Sequence, residues 1–401
     1  MERRVFLKGM AQLAAMAFCW RKDGVASSQP LPGARLPASG RQSRVSLAGV
    51  ERGASPKIVK SAVRAAAEST TNFSWLSKGD AVFIKPALNS GNPYPATTSP
   101  EAIGAVVEIL KDRGARRVIV GDMCGIEHVK LSQEDISGSS RRLMEASGMA
   151  RAAEAAGAEL HFFEESGWHS FYEDFPAAGS HWKRGLMMPS ILKEIDHIIL
   201  MPRCARHRLA GSTLGLKAAV GYWRTDTRLE YHRDASTFQE KTAEGNTVDT
   251  LLKKQRLVIS AADKVLTTFG PDKGVVLQPE IGLVMASESV VAHDIVSLAW
   301  LMENRRVMPS SEKDWFKDPY GSQRIVSAVN HWVVSKLGGL GQAFDSEKLT
   351  RNDIDTIWDD RVLNRAYQVF GNMPAVVLEA ANDVLPQALK KRLAECTTPP
   401  A

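Results

Sequence analysis

The sequence predicts an α/β fold: a largely parallel sheet of strand–helix–strand units, followed by a helical C-terminal part. Short apolar runs of strand length alternate with amphipathic segments of helical length, the pattern typical of parallel sheets. Several helical segments also carry recognisable first and last residues. The hydrophobic content of 44% and the charged content of 24% are ordinary for a globular protein. A chain of 401 residues is long enough for a large core and for two domains.

The first unit is the clearest. Residues 80–86 ("DAVFIKP") form an apolar run typical of a buried strand, and residues 116–122 ("RRVIVGD") form a second. Between them, residues 99–114 predict a helix, because Ser99 can cap its first turn and Pro100 suits the first helical position. A strand, a helix and a strand in this order predict two parallel strands joined by a crossover.

The same alternation continues along the chain. It predicts a helix over 139–157, strands over 158–164 and 196–202, a helix beginning at Ser212 or Thr213, a helix and a strand within 248–266, a strand over 281–286, a helix from Ser289, and C-terminal helices over 322–338 and 385–395. Residues 224–234 ("RTDTRLEYHRD") mix basic and acidic side chains. They predict a solvated loop, or alternatively a lid over an anionic ligand.

The N-terminus resembles a twin-arginine export signal over residues 1–26. Arg3 and Arg4 are followed by an apolar pair and a short alanine-rich run. Residues 27–44 are rich in proline and serine and predict a flexible spacer. The signal implies a periplasmic protein, with the export machinery as a partner and no stable membrane span after the signal is removed. The alternative is an ordinary amphipathic N-terminal helix.

The charge distribution argues against nucleic-acid binding. The formal net charge is +6, but the first 45 residues hold eight basic and two acidic side chains, so the remainder is formally neutral. A nucleic-acid-binding domain concentrates positive charge on its folded part. The three cysteines after the signal, Cys124, Cys204 and Cys396, are widely spaced. They predict neither a disulfide framework nor an iron–sulfur cluster held by this chain alone.

Polar residues lie at or just beyond the ends of several predicted strands: Lys85, Asp122, Arg203, His207 and Glu288. Ligands of open α/β sheets gather beyond the carboxyl ends of the strands. The sequence therefore predicts a cleft at this edge, although any one of these residues could simply meet solvent.

Three blocks in order resemble the domain-of-unknown-function 362 family: residues 82–122 ("VFIKP…VIVGD"), 196–221 ("DHIILMP…KAAVG") and 269–301 ("FGPDK…SLAWL"). The resemblance implies a family domain over 45–345 and a helical extension over 346–401. The chain departs from the family pattern at five positions: Ala87, Arg203, Ala205, Ala218 and Glu288. Ala87 and Ala218 stand where the family has asparagine, so two amide donors are missing from the implied cleft.

A more distant resemblance is to lactate racemase. His207 precedes Lys217 by ten positions, with a Gly-Ser-Thr turn between them. This resemblance implies that Lys217 anchors a cofactor, that His207 acts as an acid/base or a metal ligand, and that His128 is a second histidine. The identity of the cofactor stays open; a metal or a metal–nucleotide compound loaded before export is one choice.

Elementary chemistry singles out the same two residues as the catalytic candidates. Histidine transfers protons near neutral pH and binds metals as neutral imidazole. Lys217 is the single lysine in an apolar run, "LGLKAAVG", so it is expected to be partly buried and to need a partner. The alternatives are a surface histidine between two arginines and a solvated helix lysine.

The remaining candidates bind rather than react. The candidate ligand-binding residues are Lys85, Thr98, Asp122, Arg203 and Thr213, and the candidate metal ligands are His128, His207 and Asp294. Thr98 lies in a polar loop that feeds a helix N-terminus, where free N–H groups attract anions.

The predicted function is binding of an anionic small molecule or cofactor in a cleft at the strand ends by an exported protein. The sequence leaves open whether the protein is an enzyme. If it is, acid/base chemistry next to a carboxylate, as in a racemase or isomerase, fits best. The alternative is a non-catalytic periplasmic protein that binds a ligand or handles a cofactor.

Overall fold

The computed structural model describes residues 39–268, 270–308, 323–350, 352 and 354–399. The predicted export signal and most of the predicted spacer therefore lie outside the described residues.

The strands are β1 Ser39–Glu51, β2 Ala81–Pro86, β3 Arg117–Asp122, β4 Lys130–Leu131, β5 Ile136–Ser137, β6 Glu159–Phe162, β7 Phe171–Asp174, β8 Leu186–Pro189, β9 His197–Met201, β10 Ala205–His207, β11 Gly211–Thr213, β12 Gln255–Ala262, β13 Val265–Leu266, β14 Val276–Leu277, β15 Ile281–Ser287 and β16 Met373–Ala380. The α-helices are α1 Pro56–Thr70, α2 Pro100–Asp112, α3 Ser140–Ala146, α4 Met149–Ala155, α5 Gly215–Ala218, α6 Thr225–Arg233, α7 Phe238–Glu244, α8 Asp249–Lys254, α9 Val290–Arg306, α10 Gln323–Phe344, α11 Arg361–Val369 and α12 Gln387–Thr397.

Eight strands form the main sheet, in the order β16-β1-β15-β12-β9-β2-β3-β6. Every neighbouring pair is parallel except the two pairs that involve β15, which runs against the rest. The predicted α/β class with a largely parallel sheet is confirmed. The C-terminal part is mainly helical, as predicted, and it also contributes β16, which extends the sheet beside β1.

The first predicted unit forms as its residues require. The Ser99 hydroxyl accepts a hydrogen bond from the backbone N–H of Ala102, and Pro100 occupies the first turn of α2. All six residues of β2 are buried, as expected for a parallel strand covered on both faces. Phe83 pairs with Ile119 of β3, so the sheet interior is built from aliphatic and aromatic side chains.

Two predicted helices differ in the structure. The helix predicted over 139–157 is divided into α3 and α4, because Gly148 adopts φ +85°, in the left-handed region that interrupts a helix. The helix predicted from Ser212 or Thr213 begins later, at Gly215. Its expected first residues form instead the hairpin of β10 and β11, which turns at Gly211 with φ +91°.

The segment predicted as a solvated loop over 224–234 is largely the helix α6. Its Arg228 and Tyr231 are buried, and the helix packs against α10. The mixed charges masked this helix, because its buried face carries polar and basic side chains rather than an apolar stripe.

Glu288 does not reach the predicted cleft. It follows β15, and because β15 is antiparallel, its carboxyl end lies at the opposite edge of the sheet from those of β2, β3 and β9. The Glu288 side chain is exposed there. Among the described helices, none combines the length and the apolar character that crossing a membrane would require.

Candidate functional site

A cleft lies beyond the carboxyl ends of β2 and β3, and α5, α6 and α10 form its other walls. Its cavity volume is about 150 Å³, which is enough for a small organic molecule the size of benzene. The charged and polar residues that line it are Lys85, Asn89, Asp122, Glu127, His207, Arg208, Thr213, Lys217, Arg228, His232 and Asp272. Apolar residues of α10 line another side: Val329, Val333 and Leu337.

The floor of the cleft is a buried ion pair between neighbouring strands. Lys85 Nζ of β2 lies 2.9 Å from Asp122 Oδ1 of β3, and both side chains are almost fully buried. The lysine also donates to the backbone carbonyl of Pro86 at 2.8 Å. The carboxylate accepts from the backbone N–H groups of Leu88 and Met123, at 2.9 and 2.8 Å. Both predicted ligand-binding residues therefore face the cleft, but their charges already neutralise each other.

Gly221 allows this floor to form. A Cβ atom at this position would collide with both Asp122 Oδ1 and Lys85 Nζ. The φ angle of Gly221 is one that any residue can adopt, so the backbone conformation does not require a glycine here. What requires it is the close approach of the backbone to the ion pair.

Arg228 closes the cleft from α6. Its guanidinium donates to the backbone carbonyls of Cys124, Met123 and Gly221 at 2.6, 2.8 and 3.0 Å. Three carbonyl acceptors on two loops fix the orientation of this buried cation. It therefore adds positive charge to the cleft while holding α6 against the end of β3.

Lys217 enters the cleft from α5. Its Nζ lies 5.5 Å from the ring centroid of Tyr231 and 5.9 Å from that of Phe238. No carboxylate among the described residues pairs with it. Burial, and then the positive charges of Arg228 and Arg203, lower the pKa of Lys217 to about 7. A substantial fraction of this side chain is therefore an uncharged amine near neutral pH.

Asp294 positions the helix that carries Lys217. Its two carboxylate oxygens accept hydrogen bonds from the backbone N–H groups of Gly215 and Leu216, each at 2.7 Å. A carboxylate at a helix N-terminus satisfies free N–H groups and complements their positive end. Asp294 was a candidate metal ligand; the structure instead places it as the buried cap of α5.

His207 lies in the strand β10 rather than in a loop. Its Nδ1 atom accepts hydrogen bonds from the backbone N–H groups of Leu209 and Ala210, at 3.1 and 3.2 Å. The proton of the neutral ring is therefore on Nε2. Burial, followed by the charge of Lys217, holds the pKa of His207 well below its usual value, so the ring stays neutral at physiological pH.

His232, on α6, has the opposite tautomer. Its Nδ1 atom lies 2.9 Å from Oδ1 of Asn330, whose amide nitrogen donates to the backbone carbonyl of His232 at 2.7 Å. The amide oxygen of Asn330 therefore faces Nδ1, which carries the ring proton and donates it. Nε2 is left with its lone pair. Burial lowers the pKa of His232 to about 3.

Thr98 and Arg203 lie beside the cleft rather than in its wall. The Thr98 hydroxyl donates to the carbonyl of Met201 at 2.6 Å and accepts from the N–H of Ala87 at 2.8 Å, so it joins two strand ends. Arg203 donates to the carbonyls of Ala96 and Pro271. Its Nε and Nη2 atoms are buried without a partner among the described atoms.

Thr213, a predicted ligand-binding residue, lines the cleft at the end of β11. Its neighbour across the hairpin is Ala205.

The three candidate metal ligands do not form one group. His128 is grouped with Glu127 and Asp272, two residues that line the cleft, and one potential ligand atom of each lies within 4.8 Å of the others. His207 and Asp294 are elsewhere, with the backbone contacts described above. The set of His128, His207 and Asp294 therefore does not fit a single metal ion.

A comparison with known families covers most of the residues that line the cleft. The family model described as Domain of unknown function (DUF362) matches residues 82–299, more than half of the chain. The chain belongs to the DUF362 family. The DUF362 match covers every cleft residue named above except the three apolar residues of α10. The family predicted from the three sequence blocks is confirmed.

Two solved structures are similar to this member of the DUF362 family. A protein from Thermotoga maritima is 13% identical, with a TM-score of 0.40 and an alignment that covers 64% of this chain and 60% of that one. The lactate racemase apoprotein from Thermoanaerobacterium thermosaccharolyticum is 14% identical, with a TM-score of 0.34 and coverage of 59% and 53%. The chain thus spans less than two thirds of either protein. No curated protein matches it significantly.

Sequence reasoning gave Gly221 no role in the site, and it placed Arg228 and His232 in a segment predicted as a solvated loop, with a lid over an anionic ligand as the alternative. Arg228 and His232 are four positions apart, so on a helix they share one face. A spacing of four positions between two candidate functional side chains is the signal that indicates a helix in this segment. The sequence gives no such signal for Gly221, because the residues that leave no room for a side chain there, Lys85 and Asp122, lie on two strands far away in the chain.

Proposed function

We propose that this protein is an exported enzyme that binds a small carboxylate in the cleft and moves a proton at the carbon next to the carboxylate, as racemases and isomerases do. One observation carries the proposal: two cleft histidines are held in opposite tautomers. The backbone N–H groups of Leu209 and Ala210 place the proton of His207 on Nε2, and Asn330 leaves the Nε2 of His232 without one.

The charges of the cleft support an anionic ligand. Lys85 and Asp122 cancel each other, and Arg208 offsets one of the two other acids that line the cleft, Glu127 and Asp272. The inner walls carry the guanidinium group of Arg228 and the partly charged amine of Lys217. The unpartnered donors of Arg203 add positive charge nearby. A bound carboxylate would offset these charges, and its negative charge would raise the pKa of every basic group around it.

The two histidines take different parts in this proposal. We assign His232 as the base, because its Nε2 lone pair can accept the proton from carbon and return it. A bound anion raises the pKa of this buried ring from its low value, which makes it a better base. We assign His207 as the neutral hydrogen-bond donor to the carboxylate oxygen on which negative charge grows.

The predicted metal ligands His128, His207 and Asp294 do not share a site, so no metal held by this set takes part in the proposed proton transfer.

The proposed chemistry is tested by solvent exchange. The protein is incubated in D₂O with a panel of small carboxylates, including L-lactate and acetoacetate, and deuterium at C2 is followed by NMR against a protein-free control. We expect protein-dependent exchange with at least one member of the panel. Saturable binding without any exchange would favour a non-catalytic ligand-binding protein, and the absence of both binding and exchange would contradict the proposal.

Export is supported by Arg3, Arg4 and the apolar residues that follow them. Replacing both arginines by lysine should abolish the periplasmic fraction in cells with a working twin-arginine pathway, measured by fractionation and immunoblotting. Arg35→Lys, in the spacer, is the matched control and should leave export unchanged. Unchanged export of the double variant would refute this part of the proposal.

A further inference from the structure

Among the described residues, Lys217 differs from the other deeply placed lysines in having no acid beside it. Lys85 pairs with Asp122, and Lys241 lies 3.4 and 3.2 Å from carboxylate oxygens of Glu230 and Asp234. A buried ammonium group is normally paired in this way, because removing a charge from water without a partner is unfavourable. Lys217 instead lines an open cleft beside two aromatic rings.

The surroundings of Lys217 favour its uncharged form. Five basic groups from four segments interact electrostatically with it: Lys85 of β2, Arg203 after β9, His207 of β10, and Arg228 and His232 of α6. Desolvation and neighbouring cations are the two means by which proteins make lysine a nucleophile at neutral pH. The amine is therefore suited to attack an electrophilic carbon rather than only to hold an anion.

The proposed reaction needs a place for an electron pair. When a base removes a proton from the carbon next to a carboxylate, the carbon is left with two electrons that the carboxylate itself accepts poorly. If the following carbon carries an imine whose nitrogen has taken a proton from water, these electrons form a C=C bond to that carbon, the C=N π pair moves onto nitrogen, and the product is an enamine. A lysine beside the base can form that imine when the substrate has a carbonyl group at this position.

We propose that Lys217 forms an imine with the carbonyl group of a 3-oxo carboxylic acid that carries an alkyl chain. This inference rests on the proposed function and names its substrate class. The Nζ lone pair forms a bond to the carbonyl carbon, and the π electrons move to oxygen. The oxygen takes both protons of the amine and leaves as water, so that amine and ketone give imine and water.

The alkyl chain is inferred from α10. Val329, Val333 and Leu337 are spaced four positions apart, so they form one apolar stripe on this helix, and all three line the cleft. Val333 and Leu337 are already 9% and 6% exposed and Val329 packs against the core, so the stripe offers a narrow apolar wall to the cleft. A short alkyl chain would lie against this wall and lose its contact with water there.

The test uses 3-oxohexanoate as the probe. The full chain is incubated with it, treated with sodium borohydride, digested and analysed by mass spectrometry. We expect one reduced adduct on the peptide that contains Lys217, in higher yield than with acetoacetate, whose chain is shorter. The yield should rise with pH through about 7, since the attacking form is the free amine. Hexanoate, which lacks the carbonyl group, should compete without forming an adduct.

Lys217→Arg and Lys217→Met should lose the adduct, and thermal unfolding shows whether each variant folds. Lys253→Arg is the control, because Lys253 is exposed on α8. Labelling of Lys253 as heavy as that of Lys217, or no labelling of Lys217, would overturn the inference. If C2 exchange occurs without an adduct, the imine alone is refuted. If the adduct forms without exchange, the imine stands and the proposed proton transfer fails.

Discussion

Replacing His232 by asparagine should lower the rate of protein-dependent C2 exchange by about 10²–10⁴-fold, the usual contribution of a positioned general base. The asparagine amide nitrogen can donate to Asn330 as Nδ1 does, so the packing of α6 against α10 is retained. What disappears is Nε2, the atom assigned to take the proton. The rate is measured by deuterium incorporation at C2, with the carboxylate that exchanges best in the wild type.

His207→Asn should act through a different step. The asparagine oxygen can accept from the backbone N–H groups of Leu209 and Ala210, as Nδ1 does, while the Nε2–H donor is lost. Removing one such donor typically lowers a rate by about 10²–10³-fold. The carboxylate should also bind more weakly to this variant, whereas its binding to His232→Asn should change little.

The control for both variants is His161→Asn. His161 is half-buried on β6, outside the cleft, so its replacement should leave exchange within about twofold of the wild type. If His232→Asn exchanges as fast as this control, His232 is not the base. If all three variants are equally impaired, the losses reflect folding, and circular dichroism and thermal unfolding will show it.

Asp122→Asn should lower the free energy of unfolding by about 3–5 kcal/mol, because it leaves the buried ammonium group of Lys85 without a counter-charge. The neutral amide also replaces a carboxylate that accepts from two backbone N–H groups. The loss is measured by urea unfolding of the two proteins at equal pH. The double variant Lys85→Met/Asp122→Asn should recover part of it, since no stranded charge remains.

The sheet offers a matched control for this pair. Arg117 of β3 and Glu159 of β6 also bridge neighbouring strands, at 2.7 Å, but Arg117 is only half-buried and Glu159 is exposed. Glu159→Gln should therefore lower the free energy of unfolding by less than about 1 kcal/mol. Equal losses for Asp122→Asn and Glu159→Gln would contradict the role assigned to the buried pair.

Local patterns were sufficient for much of the architecture. The apolar runs that became β2, β3 and β9 were recognisable because parallel strands buried on both faces are continuously apolar. The ends of α2 were recognisable because Ser99 and Pro100 act on residues one turn away. Such features depend on residues only a few positions apart, so the local sequence is enough to predict them.

The direction of β15 and the helical nature of α6 were not recognisable in this way. The direction of a strand depends on which strands it pairs with, and β15 pairs with β1 and β12, far away in the chain. The buried face of α6 is polar because it meets backbone carbonyls and a polar cleft, so the usual hydrophobic periodicity is absent.

The sequence by itself determined the fold class, the family, and the placement of Lys85, Asp122, His207 and Lys217 near one edge of the sheet. The tertiary structure decided what each of them does. It paired Lys85 with Asp122, left Lys217 without an acid in the described part of the chain, used Asp294 as a helix cap, and brought His232 into the cleft through Asn330. Charge, tautomer and pKa depend on partners that lie tens to hundreds of residues away, so they arise only when the chain is folded.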